Sequence, residues 1–203
     1  MPRVYAIDGI TPVVDPSAFV HPSAVLIGDV IVGARAYIGP CACLRGDFGR
    51  IVVEEGANIQ DTCMLHGFPG KDTVAGAECT VGHGAILHGC VVRRGALIGM
   101  NCVVNDNAEV GEHAVVAALA FVKAEDRIPP RSLAAGIPAK PKRSLSEQEL
   151  RWKHDNMQLY QQLAVRSATT MREVEALSAV EPNRKRIDIP GSYPLSELKK
   201  KHG

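Results

Sequence analysis

Residues 92–122 read VRRGALIGMNCVVNDNAEVGEHAVVAALAFV, and this stretch decides the fold. An aliphatic residue recurs at every sixth position, at Val92, Ile98, Val104, Val110, Val116 and Val122. A small residue stands four positions after most of them, at Ala96, Cys102, Ala108, Ala114 and Ala120. A helix would repeat apolar residues about every 3.6 positions and a strand about every 2, so a period of six fits neither alone. It fits a short strand that is followed by a tight corner.

The same register extends toward the N-terminus, through Val20, Leu26, Val32, Ile38, Leu44, Val53, Ile59, Val81 and Leu87. Three six-residue sides close one triangular coil, and stacked coils bury a continuous core. The period therefore predicts an all-β fold, a left-handed parallel β-helix of hexapeptide repeats, over residues 17–125. Two segments break the register, RGDFGRI at 45–51 and GFPGKDT at 67–73. Such breaks in a solenoid are typical of loops that leave one corner.

The segments outside the repeat have a different character. Ser144 and Glu147 match a capping box, which predicts the start of a helix. Apolar residues then follow at spacings of three, four and seven, which favours one buried stripe: Leu150, Met157, Tyr160 and Leu163. The predicted flanking segments are a lead-in (1–16), a Pro-rich exit (126–143), a C-terminal α-helical segment (144–178) and an extended tail (179–203).

Charge and cysteine usage narrow the class of protein. The chain has 23 basic and 22 acidic side chains and a formal net charge of +1, which predicts no nucleic-acid partner. No apolar run approaches the length of a membrane span, and the N-terminus does not resemble a signal peptide. The six cysteines form no CxxC pair, so we interpret them as reduced thiols of a cytoplasmic protein.

Three histidines stand in informative places in the register. His66 follows Leu65 by one position and His88 follows Leu87 by one, so both occupy the same slot on adjacent coils, about 4.8 Å apart. His83 belongs to the neighbouring side and points elsewhere, but a second copy of the chain could bring it to the pair. Three imidazoles with an open position are the layout of a catalytic zinc site. The alternative is three unrelated surface histidines.

The segments LRGDFGRI, NIQDTCMLHG and VGHGAILHGC resemble the γ-class carbonic anhydrases. The resemblance implies a homotrimer with zinc, or Fe²⁺ or Co²⁺, at each subunit interface. It implies that one subunit supplies two ligands and the next subunit the third, that an arginine and an aspartate pair across subunits, and that a glutamine and an aspartate lie beside the metal-bound water. In this chain the two ligands from one subunit would be His66 and His88, and the third would be His83. The intersubunit pair would be Arg45 and Asp47. The residues beside the metal-bound water would be Gln60 and Asp61.

The register supports part of this assignment. Asp61 follows Ile59 by two positions and His83 follows Val81 by two, so the carboxylate shares a slot with the imidazole and could orient it. Arg45 falls one coil below His66, where bracing the interface is an alternative to a catalytic role. Gln60 could hydrogen-bond a hydroxide or a developing oxyanion. Phe48 stands where the archetype has a glutamate, and the acidic loop is replaced by residues 67–73, which predicts weak CO2 hydration.

Longer segments, including PVVDPSAFVHPSAVLIGDVIVG, HGFPGKDTV and LSEQELRWK, are similar to the phenylacetate-degradation and carnitine-operon branch of this family. The phenylacetate members imply a metal-dependent acyl-CoA thioesterase, in which metal-activated hydroxide attacks the thioester. Tyr160 either reaches the site of a neighbouring subunit or packs in the apolar stripe. The alternatives are hydration of CO2 to bicarbonate, a CoA-dependent acyltransferase, which the exit motif AAGIPAK at 134–140 also fits, and an accessory protein of the carnitine pathway.

Overall fold

The computed structural model describes residues 2–189, which form a parallel β-solenoid of about seven turns followed by one helix. The helix is α1 (Glu147–Thr170). The strands are β1 (Arg3–Tyr5), β2 (Val13–Val14), β3 (Phe19–Val20), β4 (Val25–Val32), β5 (Tyr37–Ile38), β6 (Cys43–Val53), β7 (Asn58–Ile59), β8 (Met64–His66), β9 (Thr73–Ala75), β10 (Thr80–Val81), β11 (Ile86–His88), β12 (Val91–Val92), β13 (Leu97–Ile98), β14 (Val103–Val104), β15 (Glu109–Val110), β16 (Val115–Val116), β17 (Phe121–Val122), β18 (Arg127–Ile128), β19 (Ser132–Ala135) and β20 (Lys140–Ser144).

The predicted hexapeptide register is confirmed by the strand pairing. On one side of the solenoid six inward aliphatic residues stack coil upon coil, and each is 0% exposed: Leu26, Leu44, Leu65, Leu87, Val104 and Val122. Alanines and cysteines fill the narrow corners of the core, where Cys63, Cys79, Cys90 and Cys102 are buried. The small slot of the repeat therefore sets how closely the three sides can approach.

Left-handed backbone at the corners explains why the chain can turn every six residues. Asn101, Asn107, His113, Leu119 and Glu125 all have φ between 55° and 66°. This left-handed conformation costs little free energy for asparagine and more for the other residues. The stacked hydrogen bonds of the solenoid offset that cost. At some other corners, such as Gly84 and Gly95, the residue is glycine, which adopts this conformation freely.

Two outer surfaces of the solenoid are distinct. The histidine face is the outer surface of β6, β8, β11, β14 and β17, which lie side by side in one sheet. The helix face is the outer surface of β3, β5 and β7, on which α1 packs. Strand β6 bends around a corner and continues into the third side, so that residues 47–50 and the adjacent loop 67–72 project from the same corner. This corner, which we term the loop corner, borders the histidine face.

The solenoid is longer than the predicted span of 17–125. Strands β1 and β2 of the lead-in pair in parallel with β4, and β18 and β19 of the exit continue the stack, so regular pairing runs from Arg3 to Ala135. Strand β20 then turns back antiparallel to β19. The predicted tail 179–203 is described only to residue 189, where it has no regular structure, and residues 190–203 lie outside the described residues.

Helix α1 begins and ends inside its predicted range of 144–178. The capping box is formed by Ser146 and Glu149, not by Ser144 and Glu147, because Ser144 is the last residue of β20. Arg143 donates two hydrogen bonds to the Glu149 carboxylate, at 2.8 and 2.7 Å, which anchors this first turn. No helix within residues 2–189 is long and apolar enough to cross a membrane.

The face of α1 that meets the solenoid is only partly apolar. Met157 and Ala164 are buried there, as is the charged Lys153, whose ammonium donates a hydrogen bond to the carbonyl of Gly95. Leu150 and Leu163 of the predicted stripe are only partly buried. A lysine that is 5% exposed in the centre of the docking face was not predicted, because its spacing and charge resemble those of a solvated position.

Candidate metal centre

His66 and His88 lie side by side on the histidine face. His66 ends β8 and His88 ends β11, and the two residues are register partners in the parallel pair. Their ring centroids are 5.2 Å apart, with an interplanar angle of 51°. The shared slot expected from the repeat is therefore present, and both imidazoles stand where one ion could contact the two rings.

Each of the three histidines is held by a carboxylate. Nδ1 of His83 lies 2.7 Å from Oδ2 of Asp61, and Nδ1 of His88 is hydrogen-bonded to Oδ1 of Asp106. A carboxylate on Nδ1 holds the proton there and leaves Nε2 unprotonated, which is the usual state of a metal-ligating histidine. In His66 the carboxylate of Asp47 instead meets Nε2, at 3.1 Å.

His83 occupies the corner between β10 and β11 and is well positioned to meet another molecule. Its side chain is 44% exposed, and its backbone N–H donates to the side-chain oxygen of Gln60 at 3.2 Å. The amide nitrogen of Gln60 donates in turn to Asn58 at 3.1 Å. Gln60 is only 5% exposed, so within one chain it fixes the turn that presents His83 and does not stand free to meet an oxyanion.

Arg45 and Asp47 form an ion pair within the chain, with Nη1 and Oδ2 2.7 Å apart. The family resemblance implies a pair across subunits. Residues two apart on strand β6 point to the same side, so these two side chains meet locally. Burial raises the pKa of Asp47, but the hydrogen bonds from Arg45 and His66 outweigh it and hold that pKa below its usual value. The pKa of His66 is lowered by burial and by the Arg45 charge.

Tyr160 lies on α1, where it packs against the helix face of its own chain. Its ring centroid is 5.7 Å from that of Tyr37, which stacks on Phe19 at 5.5 Å. Burial, together with the nearby Asp61 carboxylate, raises the pKa of Tyr160 to about 12. The tyrosine therefore belongs to the apolar contact of α1 and lies on the His83 side of the site.

Asp106 was missed at the level of sequence. It lies 18 residues after His88, on the next coil, but it stands in a corner with the sequence Asn-Asp-Asn. Polar residues are ordinary at such corners, so nothing in the composition marked this carboxylate. The one available signal is the register in which Leu87 pairs with Val104, which places Asp106 level with Gly89, the residue that follows His88.

The donor set fits a metal that accepts nitrogen ligands, but only if two chains contribute. Among residues 2–189 no three His, Cys, Asp or Glu side chains of one chain form a metal-binding group. His66 and His88 lie at the loop-corner edge of the histidine face, and His83 lies at its opposite edge. Zinc and similar ions favour three imidazoles, and the carboxylates on Nδ1 of His83 and His88 supply the outer support that such ligands need.

A row of apolar residues runs along the histidine face between these two edges. Its members are register partners on successive strands and point outward: Cys43, Met64, Ile86, Val103 and Phe121. Ile86, at the level of the histidines, is 40% exposed. A continuous outward apolar row is typical of a surface that another protein covers.

The fold and the histidine face define a hexapeptide-repeat protein of the left-handed β-helix type. The chain is 54% identical over 183 residues to the carnitine operon protein CaiE of Salmonella agona, covering 90% of this chain and 92% of that one. It is equally identical to CaiE of Escherichia coli K12, covering 93% of that protein. The chain belongs to the CaiE family of hexapeptide-repeat proteins. No protein-family model matches the sequence.

Solved structures agree with this assignment. A hexapeptide transferase family protein from Anaplasma phagocytophilum superposes with a TM-score of 0.77 at 36% identity, covering 80% of this chain and 96% of that one. A proposed acetyltransferase from Bacillus cereus superposes with a TM-score of 0.79 at 33% identity, covering 80% of this chain and 95% of that one. Both resemblances support the hexapeptide-repeat solenoid fold.

Proposed function

We propose that the protein is a homotrimeric, metal-dependent hydrolase of acyl-CoA thioesters that serves carnitine metabolism. The observation that carries this proposal is the set of three carboxylate-supported histidines on two opposite edges of one face. Imidazoles with a carboxylate on Nδ1, as in His83 and His88, suit ligands of Zn²⁺, or of Fe²⁺ or Co²⁺.

The positions of the two edges support a trimer. If three histidine faces pack around a three-fold axis, the His83 edge of one subunit meets the His66 and His88 edge of the next. The apolar row centred on Ile86 is then covered near the axis. The same packing completes three sites at once, so assembly and function would depend on each other.

A zinc ion bound by three imidazoles would supply a Lewis acid and a water that ionises near neutral pH. The residues of this chain would hold and orient the histidine ligands. Asp61 and Asp106 hold the proton on Nδ1 of their histidines, which keeps each Nε2 available. Arg45 keeps Asp47 ionised next to His66. Gln60 sets the His83 turn. Hydrolysis would add one water across the thioester, whose oxygen ends in the free acid, and would release CoA as the thiol.

The relatives favour the carnitine alternative over phenylacetate degradation. The similar curated proteins bear the name carnitine operon protein, and the match spans more than 90% of their length. The substrate class we propose is therefore a CoA ester of that pathway. CO2 hydration is expected to be weak, because Phe48 cannot carry a proton as the glutamate at this place in the γ-class enzymes would.

A second candidate is a CoA-dependent acyltransferase, which the two solved neighbours favour. Such an enzyme would use one histidine as a general base and would need no metal. A third candidate, an accessory protein that assists enzymes of the carnitine operon, is supported by the name of the relatives alone.

Metal content and product analysis on one preparation distinguish these candidates. The purified protein is assayed for bound metal and is incubated with a panel of acyl-CoA esters, with and without amine or alcohol acceptors. The hydrolase predicts about one metal per chain and free acid as the product, both lost on chelation. Turnover that requires an acceptor and survives chelation would show the transferase. Bound metal without turnover on any ester would favour the accessory role.

A further inference from the structure

Two phenylalanine rings bracket the histidine pair at the loop corner. Phe48, on the excursion of β6, has its ring centroid 5.5 Å from that of His66. Phe68, in the loop after β8, stacks on His88 with centroids 6.3 Å apart and an interplanar angle of 25°. Since the two imidazoles adjoin each other, the four rings form a row in the order Phe48, His66, His88, Phe68.

The position of Phe68 is built into the backbone. A Cβ on Gly89 would lie 2.4 Å from the Phe68 ring, so only glycine leaves room for that ring. A Cβ on Gly49 would lie 2.6 Å from the carbonyl oxygen of Phe68, which shows that the two loops pack backbone against backbone. The hydroxyl of Thr73 donates to the His66 carbonyl at 2.6 Å and accepts from the Gly89 N–H at 2.9 Å, which ties the loop to the site.

Phe48 is the more informative of the two rings. Its side chain is 62% exposed within the chain, so the fold gains little from it. A large exposed ring next to a catalytic-type cluster can contribute a flat apolar surface or attract a cation to its π face. It cannot donate or relay a proton.

Of the two carboxylates beside this row, Asp47 is already paired with Arg45, so Asp106 is the one that favours a cationic guest. The carboxylates of Asp47 and Asp106 lie next to His66 and His88, and Asp106 is bonded to His88 with no arginine on it in the described part of the chain. Aromatic faces beside carboxylates are the usual means of binding a quaternary ammonium group, which is bulky and weakly hydrated. Carnitine, which the relatives' name mentions, carries a trimethylammonium group of this kind.

We propose that Phe48 and Phe68 bind the acyl end of the substrate and that this acyl group carries a quaternary trimethylammonium. The inference rests on the proposed function and gives its substrate class. The thioester carbonyl would lie at the histidines, and the methylated nitrogen would lie against the Phe48 face. The two rings would then select the substrate by charge as well as by size.

The test compares two ligands of equal shape. They are the non-hydrolysable thioether analogues of 4-trimethylammoniobutanoyl-CoA and of its neutral isostere, 5,5-dimethylhexanoyl-CoA. Calorimetry on the metal-loaded trimer gives both dissociation constants, and hydrolysis of the parent esters gives both values of kcat/KM. The cationic ligand should bind about 2- to 30-fold more tightly, which is the range of cation–π contributions.

Variants at Phe48 provide the matched control. Phe48→Leu keeps most of the apolar volume and removes the π face. The ratio of the neutral ligand's dissociation constant to that of the cationic ligand should therefore fall toward one. Phe48→Trp should keep or raise it. Phe68→Leu should lower it as well, and each variant must remain trimeric by light scattering.

Three results would overturn the inference. Equal affinity for both ligands in the wild type would show an apolar pocket without charge selection. An unchanged preference in Phe48→Leu and Phe68→Leu would place the cation elsewhere. Dissociation of the Phe48→Leu trimer would show that this ring packs against a neighbouring subunit. If the wild type hydrolyses the neutral ester with metal bound and shows no preference, the proposed function survives and this inference does not. If the protein binds no metal and hydrolyses neither ester, the proposed function fails first.

Discussion

Oδ2 of Asp61 lies 2.7 Å from Nδ1 of His83, one coil away along the solenoid. The aspartate and the histidine occupy equivalent places two residues after inward aliphatic residues whose strands pair directly, Ile59 with Val81. The contact is therefore a consequence of the repeat itself. It connects the spacing of the core to the orientation of a candidate metal ligand.

Carboxylate support can be tested by removing the charge and keeping the shape. Asp61→Asn and Asp106→Asn should each weaken metal binding by about 10- to 100-fold, because the amide no longer holds the proton on Nδ1. The metal dissociation constant, measured by competition with a chelator, checks this. Glu109→Gln, which removes a carboxylate bonded to Arg93 and Arg127 away from the histidines, should leave metal affinity unchanged. An equal loss in all three variants would contradict the prediction.

Mixed trimers test whether the site is shared between chains. Homotrimers of His83→Ala and of His66→Ala should both lack metal, because every interface misses one ligand. In coexpressed mixtures, an interface that takes His66 and His88 from the first variant and His83 from the second is complete. About a quarter of the sites should regain metal for random three-fold assembly from equal amounts. Folded mixed trimers that remain empty would exclude the intersubunit arrangement.

The buried ammonium of Lys153 should make stability rise with pH. Burial lowers its pKa to about 8, although Cys79 and Glu78 act in the opposite direction. The unfolded chain holds this proton up to about pH 10.4, so between the two values it binds more protons than the folded chain, and the free energy of unfolding increases with pH. Unfolding in urea should show this rise relative to Lys153→Met, by up to about 3 kcal/mol. If the free energies of unfolding of the wild type and of Lys153→Met change with pH in parallel, the prediction is wrong.

The first turn of α1 should respond to acid. Arg143, together with Ser146, lowers the pKa of Glu149 to about 2 against the opposing effect of burial. The stabilisation is thus fully present above about pH 4.3, the unfolded value, and is lost as the pH falls toward 2. Glu149→Gln should cost about 1–3 kcal/mol at pH 7 and should flatten the acid branch of the stability curve. Glu147→Gln, a more exposed neighbour, serves as the control.

The register predicted much of the site because a period of six leaves few choices. Once Leu65 and Leu87 are assigned to the core, the positions of His66 and His88 follow, and they are register partners. Other features depend on details that the period does not contain. Ser144 and Ser146 both fit a capping box, and only the end of β20 decides between them. Lys153 reaches its buried acceptor through a long flexible stem, which no spacing rule anticipates.

Both register breaks open at one corner of neighbouring coils, and this has an evolutionary consequence. The stacked core on either side fixes where each excursion starts and ends, so the length and composition of residues 47–50 and 67–72 can vary without disturbing the stacked aliphatic residues. The loops of this corner can therefore change while the coils that carry them stay the same. Related chains should therefore differ in substrate mainly through the sequences of these two short loops. The spacing that aligns their histidines should stay the same.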